Sequence, residues 1–218
     1  MTQNDLPTKL FCVQATKLKL KVSTPLKGTN KMDDRQLIKG CLENQKEHQK
    51  ELFRRFSGKM LSVCRRYARH EMEAEDMLQD AFVKMFKNLS SFKFEGSFEG
   101  WLRRITINTA IKHCQKKAFS NELMGYEKLP ENSHLNTSGA QMNEDFLLKL
   151  VSNLPEGYRL VFNLFAIEGY SHAEIAELLG ITASTSRSQL VKARRMLQLR
   201  LAEIDNYHSK TNNHMVPK

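Results

Sequence analysis

At 218 residues the chain has length for one medium domain or two small ones, each with its own core. Its 40% hydrophobic and 27% charged content is ordinary for a soluble protein, and no apolar run approaches the ~20 residues that span a bilayer. Cys12, Cys41, Cys64 and Cys114 are scattered without a CxxC pair or a His cluster, which argues against a zinc or disulfide framework and for reduced thiols in the cytosol. The formal net charge of +10 is unevenly spread. Residues 1–32 and 33–117 are basic blocks, 118–144 is acidic, and 145–218 is mildly basic. Two basic blocks around an acidic connector suit a protein that grips nucleic acid at two places.

Residues 1–32 hold six lysines against one acid and no helical periodicity. Lys17 to Val22 alternate like a short strand, but nothing nearby could pair with it, so a disordered basic extension is expected. Met32 is a candidate alternative start, because a helix begins at Asp33–Asp34. There is no apolar stretch with a small-residue cleavage site, hence no signal peptide is expected.

From 33 to 117 the chain reads as helices with short joints. A first short helix covers DDRQLIKGCLEN, and a second covers the stretch from Gln45 to Arg69. In the second, Leu52, Phe53, Phe56, Met60, Leu61, Val63, Cys64 and Tyr67 recur at helical spacing and mark the buried side. The third, EAEDMLQDAFVKMFKNLSSF, has an apolar face of Met77, Leu78, Ala81, Phe82, Met85, Phe86 and Leu89, with Glu75, Asp76, Gln79, Asp80 and Lys84 mostly opposite. Glu73, Glu75 and Asp76 in its first turn complement the helix dipole. Between Ser90 and Lys117 the chemistry changes. Phe92, Phe94, Phe98 and Trp101 surround a glycine-containing loop, and Arg103, Arg104, Asn108, Lys112, Lys116 and Lys117 follow along a helix. Aromatic rings interleaved with cations provide stacking for unpaired bases and a track for phosphates. Phe98 and Trp101 at i, i+3 spacing equally fit a core, and Trp101 and Ile105 are expected there.

Residues 118–143 lose periodicity and gather Gly125, Pro130, Gly139 and many Ser and Asn, the composition of a flexible linker. Helices resume at Glu144, with Phe146, Leu147, Leu150 and Val151 as the apolar side of the first. Pro155 opens the next, whose Leu160, Val161, Leu164 and Phe165 are expected to close a small core. Then GYSHAEIAELLGITASTSRSQLVKARRMLQL reads as two helices joined by a tight turn. Ser171 and Glu174 form a capping box, Tyr170 and Ile175 a hydrophobic staple, and Gly180 the left-handed cap. Thr182 or Ser184 can cap the second helix, which carries Ser186, Leu190, Ala193 and Leu197 on one side. Its other side shows Thr185, Arg187, Ser188, Val191, Lys192, Arg194 and Arg195. This is a helix-turn-helix whose second helix suits a major groove. Beyond Arg200 the chain is expected to fray.

The string EGYSHAEIAELLGITASTSRSQLVKARRML resembles the C-terminal promoter-reading domain of extracytoplasmic-function sigma factors. Ser186 departs from the branched apolar residue usual at its position. AEDMLQDAFVKMFKNLSSF followed by GSFEGWLRRITINTAIKHCQ resembles the N-terminal domain of the same family, so the likeness spans about residues 33–200. It implies an all-α protein of two small helical domains, sigma region 2 over 33–117 and sigma region 4 over 144–200, flanked by the 118–143 linker and the 201–218 tail. It further implies an alternative sigma factor that directs promoter-specific transcription initiation. Asp76, Gln79, Asp80 and Lys84 would meet the clamp helices of core RNA polymerase, and the surface before the helix-turn-helix would meet its flap. Phe92, Phe94, Phe98, Arg104, Asn108 and Lys112 would meet unpaired DNA of the −10 element. Thr185, Arg187, Ser188, Val191, Lys192, Arg194 and Arg195 would meet the duplex −35 element. An anti-sigma factor is a candidate partner, and a cytoplasmic location without membrane insertion follows.

The sequence carries no phosphate-cradling glycine loop, no GxSxG and no HExxH, and its seven histidines are dispersed in a way that reads as surface. No catalytic residue, metal site or cofactor is expected. The competing reading is a stand-alone helix-turn-helix repressor or activator with a dimerising or sensing N-terminal domain. The polar helix and aromatic–basic loop over 73–104 favour the sigma factor.

Overall fold

Among the described residues every regular element is helical. The computed structural model describes the backbone of residues 33–123 and 144–212, and side chains within 33–116 and 146–204. The basic extension, most of the linker and the last six residues lie outside it. Two compact units divide between His113 and Cys114.

The first unit contains α1 (Asp34–Leu42), α2 (Lys46–Tyr67), α3 (Glu71–Asn88), a single 3₁₀ turn (Leu89–Ser91) and α4 (Phe98–Leu123) as far as His113. All eight residues expected on the inner side of α2 are buried, and Leu52, Met60, Cys64 and Tyr67 are fully enclosed. This stripe packs chiefly on Met77, Leu78, Ala81, Phe82 and Met85 of α3, with the Phe53 and Phe82 rings 4.8 Å apart. Leu37, Ile38 and Cys41 of α1, which packs on α2, complete the core. Burial on this scale stabilises each large side chain by about 1.5–3 kcal/mol relative to leaving it in water. The chain leaves α2 at Ala68 in an extended conformation, and His70 restarts it. The Glu73 amide donates to His70 Nδ1 (3.2 Å), and Glu73 Oε2 accepts from the Arg69 amide (2.7 Å). These bonds satisfy amides that a helix start leaves without partners, so α3 begins two residues earlier than expected.

In the second unit, α5 (Glu144–Ser152) precedes α6 (Glu156–Phe162), α7 (His172–Leu179) and α8 (Ala183–Asn212). Leu150, Leu154, Leu160, Val161, Leu164, Ile175, Leu190 and Ala193 form its core. Leu147 is an exception to the expected face of α5: it is 45% exposed, and the half-buried neighbour is Leu148. Adjacent residues are rotated by about 100° around a helix, so Leu147 and Leu148 point in different directions. Between α6 and α7 the helix widens into a π turn over Asn163–Ile167, and Gly169 at φ +78° reverses the chain. Arg159 is fully enclosed and donates from Nη1 to the Ser152 carbonyl (3.1 Å), tying α6 to the end of α5.

Two further boundaries differ from expectation. The helix α4 runs through Leu123, into the segment read as linker, because no glycine or proline interrupts it before Gly125. The helix α8 runs through Asn212, so residues 201–212 are helical rather than frayed. Leu197, Leu201 and Ile204 remain half-buried at helical spacing, and Arg200 pairs with Glu203 at 3.2 Å.

Glycines 40 and 58 should respond to substitution in opposite directions. A Cβ at Gly40 would collide with the His48 ring, so Gly40→Ala is expected to cost about 1–3 kcal/mol. Nothing lies within 4 Å of a Cβ at Gly58 inside α2, so Gly58→Ala should stabilise by about 0.5–1 kcal/mol. Urea unfolding of both variants measures the contrast. Burial pushes the Cys41 and Cys64 thiols up to about 12. Both should resist an alkylating reagent near pH 8 until the unit unfolds, as mass spectrometry of urea-titrated samples would record. Because the folded values are raised, the stability this burial contributes is complete below the ordinary thiol range and is lost as pH climbs toward 12.

Candidate nucleic-acid and polymerase interfaces

The helix-turn-helix is built by α7, the Gly180 turn and α8. The Ser171 hydroxyl accepts from the Glu174 amide (3.3 Å) while Glu174 Oε2 accepts from the Ser171 amide (2.8 Å), completing the expected capping box. Gly180 takes φ +68°, which any side chain would strain. Of the two candidate caps for α8, Thr182 serves: its hydroxyl accepts from the Thr185 amide at 3.0 Å. With Ile175, Ser186, Leu190 and Ala193 turned inward, Arg187, Ser188, Val191, Lys192, Arg194 and Arg195 are exposed and Thr185 is half-buried. Val191, at 65% exposure, is an apolar residue in the middle of a polar, basic face. Such a face can donate to base edges and phosphates and set a methyl group against thymine.

Ser186 is enclosed, and its hydroxyl has a partner. It lies 2.9 Å from His172 Nδ1 on α7. The His172 ring stacks on Phe165 (centroids 4.5 Å, planes 20° apart), and the Arg194 guanidinium lies over the same phenyl at 5.8 Å. A polar bond therefore bridges the two helices in place of an apolar contact. His172 is not a plain surface histidine, and neither are His70, which caps α3, nor His113, whose Nε2 is 2.8 Å from Asp80 Oδ2. The departure at Ser186 was the one sequence signal that could have exposed the His172 pair.

In the first unit, Arg104, Asn108 and Lys112 lie along α4 at intervals of four, with Arg104 and Lys112 exposed and Asn108 half-buried. The aromatic loop separates into two layers. Phe92 (8% exposed) and Phe98 (3%) are core residues, their rings 5.4 Å apart and each against Trp101. The expectation named all three phenylalanines as DNA contacts; in this structure Phe92 and Phe98 are enclosed and packed on one another. Only Phe94, at 39%, presents its ring to solvent. Trp101 and Ile105, expected in the core, are half-buried. Ser97 caps α4 by accepting from the Gly100 amide (3.1 Å), and Glu99 pairs with Lys59 of α2.

On α3, Asp76 and Asp80 are exposed and Gln79 is half-buried, forming a polar strip. Lys84 departs from it: its Nζ donates to the enclosed Thr109 hydroxyl on α4 at 3.2 Å, so it braces the two helices. Within the described residues no group of His, Cys, Asp or Glu could hold a metal ion, and no helix is long and apolar enough to cross a membrane.

Comparison with known proteins adds to this geometry. Residues 52–119 match the family model for sigma-70 region 2, and residues 147–197 match that for sigma-70 region 4. The Bacillus subtilis extracytoplasmic-function RNA polymerase sigma factor SigW is 30% identical over 162 residues, covering 68% of this chain and 86% of the relative. The chain belongs to the extracytoplasmic-function sigma factors of the sigma-70 family. The sigma-E factor of Haemophilus influenzae is 27% identical over 77% of this chain and 94% of the relative. The sigma-H factor of Pseudomonas aeruginosa is 28% identical over 74% and 90%. Among solved structures, the Bartonella quintana sigma factor RpoE bound to the anti-sigma factor NepR gives a TM-score of 0.47 at 22% identity, covering 70% of this chain and 96% of that one. CnrH bound to the cytosolic domain of CnrY gives 0.43 at 23%, covering 78% and 97%. The candidate DNA and polymerase residues of this sigma factor all fall inside the two matched regions, whereas α1 precedes them.

The Ser186–His172 bond should be measurable by a double-mutant cycle. Ser186→Ala leaves a half-buried imidazole nitrogen without its partner and should cost about 1 kcal/mol. Adding His172→Ala should then cost less than it does in the wild-type background, as read from urea unfolding followed by circular dichroism.

Proposed function

We propose that this sigma factor divides promoter reading between its two units: α8 reads the −35 duplex, and the aromatic loop with α4 holds unpaired −10 DNA. At the family level the function is promoter-directed transcription initiation through RNA polymerase. The single observation that carries the division of labour is the pairing of two differently built basic surfaces. One is a groove-sized helix face, and the other is a cationic helix stripe preceded in the chain by an exposed phenyl ring.

On α8, Arg187, Ser188, Val191 and Lys192 are assigned to base edges or nearby phosphates and Arg194 and Arg195 to the backbone, with Thr185 at the groove's edge. On α4, Arg104 and Lys112 are assigned to the backbone of the unpaired strand and Asn108 to a base, with Phe94 the stacking ring. Asp76, Gln79 and Asp80 are assigned to the polymerase clamp helices, a charged coiled-coil partner for which a polar and acidic strip is complementary. Lys84 supports that strip from behind. The working domains are region 2 over 33–117 and region 4 over 144–200, joined by a linker long enough for each to reach its own element. Bond formation belongs to the polymerase, so the sigma factor is itself no enzyme and works in the cytoplasm. Family membership also makes an anti-sigma factor a candidate partner.

Co-purification with bacterial core RNA polymerase, followed by run-off transcription on sheared genomic DNA, tests the assignment. Wild type should bind stoichiometrically and yield promoter-specific transcripts, and Gln79→Ala/Asp80→Ala should weaken binding by about tenfold or more. His113→Ala, which removes the partner of Asp80 but keeps the carboxylate, should bind at least as well as wild type. Tight binding to a duplex operator with no affinity for core enzyme would overturn the reading in favour of a stand-alone repressor.

A further inference from the structure

Phe94 is held in an unusual way. Its φ is +59°, a left-handed conformation that costs a bulky residue of order 1–3 kcal/mol and that persists only where the surroundings enforce it. The result is that its ring projects to solvent while its neighbours Phe92 and Phe98 are interred. Phe92 supports it from beneath, centroids 5.0 Å apart at 58°. Over the Phe94 ring, 5.2 Å from its centroid, lies the guanidinium of Arg35.

Arg35 comes from α1, outside the residues that match region 2. Its place is fixed by its neighbour: Asp34 Oδ1 accepts from Arg55 Nη1 of α2 at 2.7 Å, and Arg55 is mostly buried. The helix also packs on the 3₁₀ turn that leads into the loop. Among the described residues Arg35 has no carboxylate partner, and its guanidinium is engaged by the phenyl face.

We propose that Arg35 and Phe94 form a two-sided clamp for one unpaired DNA base, the base inserting between guanidinium and phenyl. This rests on the reading that the 92–98 loop meets single-stranded promoter DNA. The geometry is permissive. A base stacked at about 3.5 Å from each plane needs about 7 Å between them, so Arg35 must withdraw by about 2 Å, well within the reach of an exposed arginine. The guanidinium is the suitable cation because it offers a flat, weakly hydrated face as well as charge, whereas an ammonium offers charge alone. In the free protein Arg35 covers one face of the phenyl, and the residue as a whole stays 39% exposed.

Polymerase holoenzyme and fluorescent fork DNA, single-stranded across the −10 element of a promoter recovered by run-off, supply the test. Arg35→Ala should weaken binding about tenfold, and Arg35→Lys should weaken it nearly as much while leaving the slope of affinity against salt unchanged. Abasic substitution scanned along the strand should find one position at which Arg35→Ala no longer matters. Phe94→Ala should cause a similar loss that is not additive with Arg35→Ala. Wild-type affinity in Arg35→Lys with a flattened salt slope in Arg35→Ala would make Arg35 a phosphate contact and overturn the clamp. Tighter binding by Arg35→Ala would make it a lid and overturn it equally. Unchanged binding by Phe94→Ala would instead overturn the placement of the loop on single-stranded DNA, and the clamp with it.

Discussion

Each long helix of this protein must bury one stripe and leave its complement to solvent, and every candidate interface is what that division leaves over. A helix repeats every 3.6 residues, so a residue and its neighbours three and four along share a face. On α4, Leu102, Thr106, Thr109 and Ala110 are enclosed, which puts Arg104, Asn108 and Lys112 on the open side. On α8, Ser186, Leu190 and Ala193 are enclosed, which puts Arg187, Ser188, Val191 and Lys192 outward together. Core and site are the same choice seen from two sides.

That division explains why polar groups recur at the points where helices meet. Lys84 reaches Thr109, Arg159 reaches the Ser152 carbonyl, Asp80 meets His113, and His172 meets Ser186. The buried stripe of each helix is bordered by polar residues. A polar group caught at a margin is tolerated only when it is hydrogen-bonded, since an unpaired one costs about 1–3 kcal/mol. Ser186 is the clearest instance, because its size and polarity are both compensated by a histidine that also stacks on Phe165. A side-chain bond thus links the two helices of the helix-turn-helix.

The aromatic loop obeys a related constraint. Four rings lie within the ten residues from Phe92 to Trp101, but one small unit has limited room. Phe92 and Phe98 take the interior, Trp101 the boundary, and Phe94 is turned outward by a left-handed backbone. The exposed ring is packed on the buried Phe92 beneath it, which holds it in one place.

Sequence alone determined the helical class, the inner face of α2, the capping box at Ser171, the turn at Gly180 and the outward row on α8, because each depends on neighbours within one or two turns of the same helix. Family resemblance rested on the same local strings. What only the tertiary structure decided was which of several equivalent residues each site would receive. Periodicity could not separate Phe94 from Phe92 and Phe98, could not withdraw Lys84 from the α3 strip, and could not bring Arg35, from a helix nearly sixty residues earlier in the chain, over the Phe94 ring. Those outcomes hang on contacts between residues far apart in sequence, where volume and hydrogen-bond satisfaction across a shared core, and no local preference, choose which side chain goes in and which stays out.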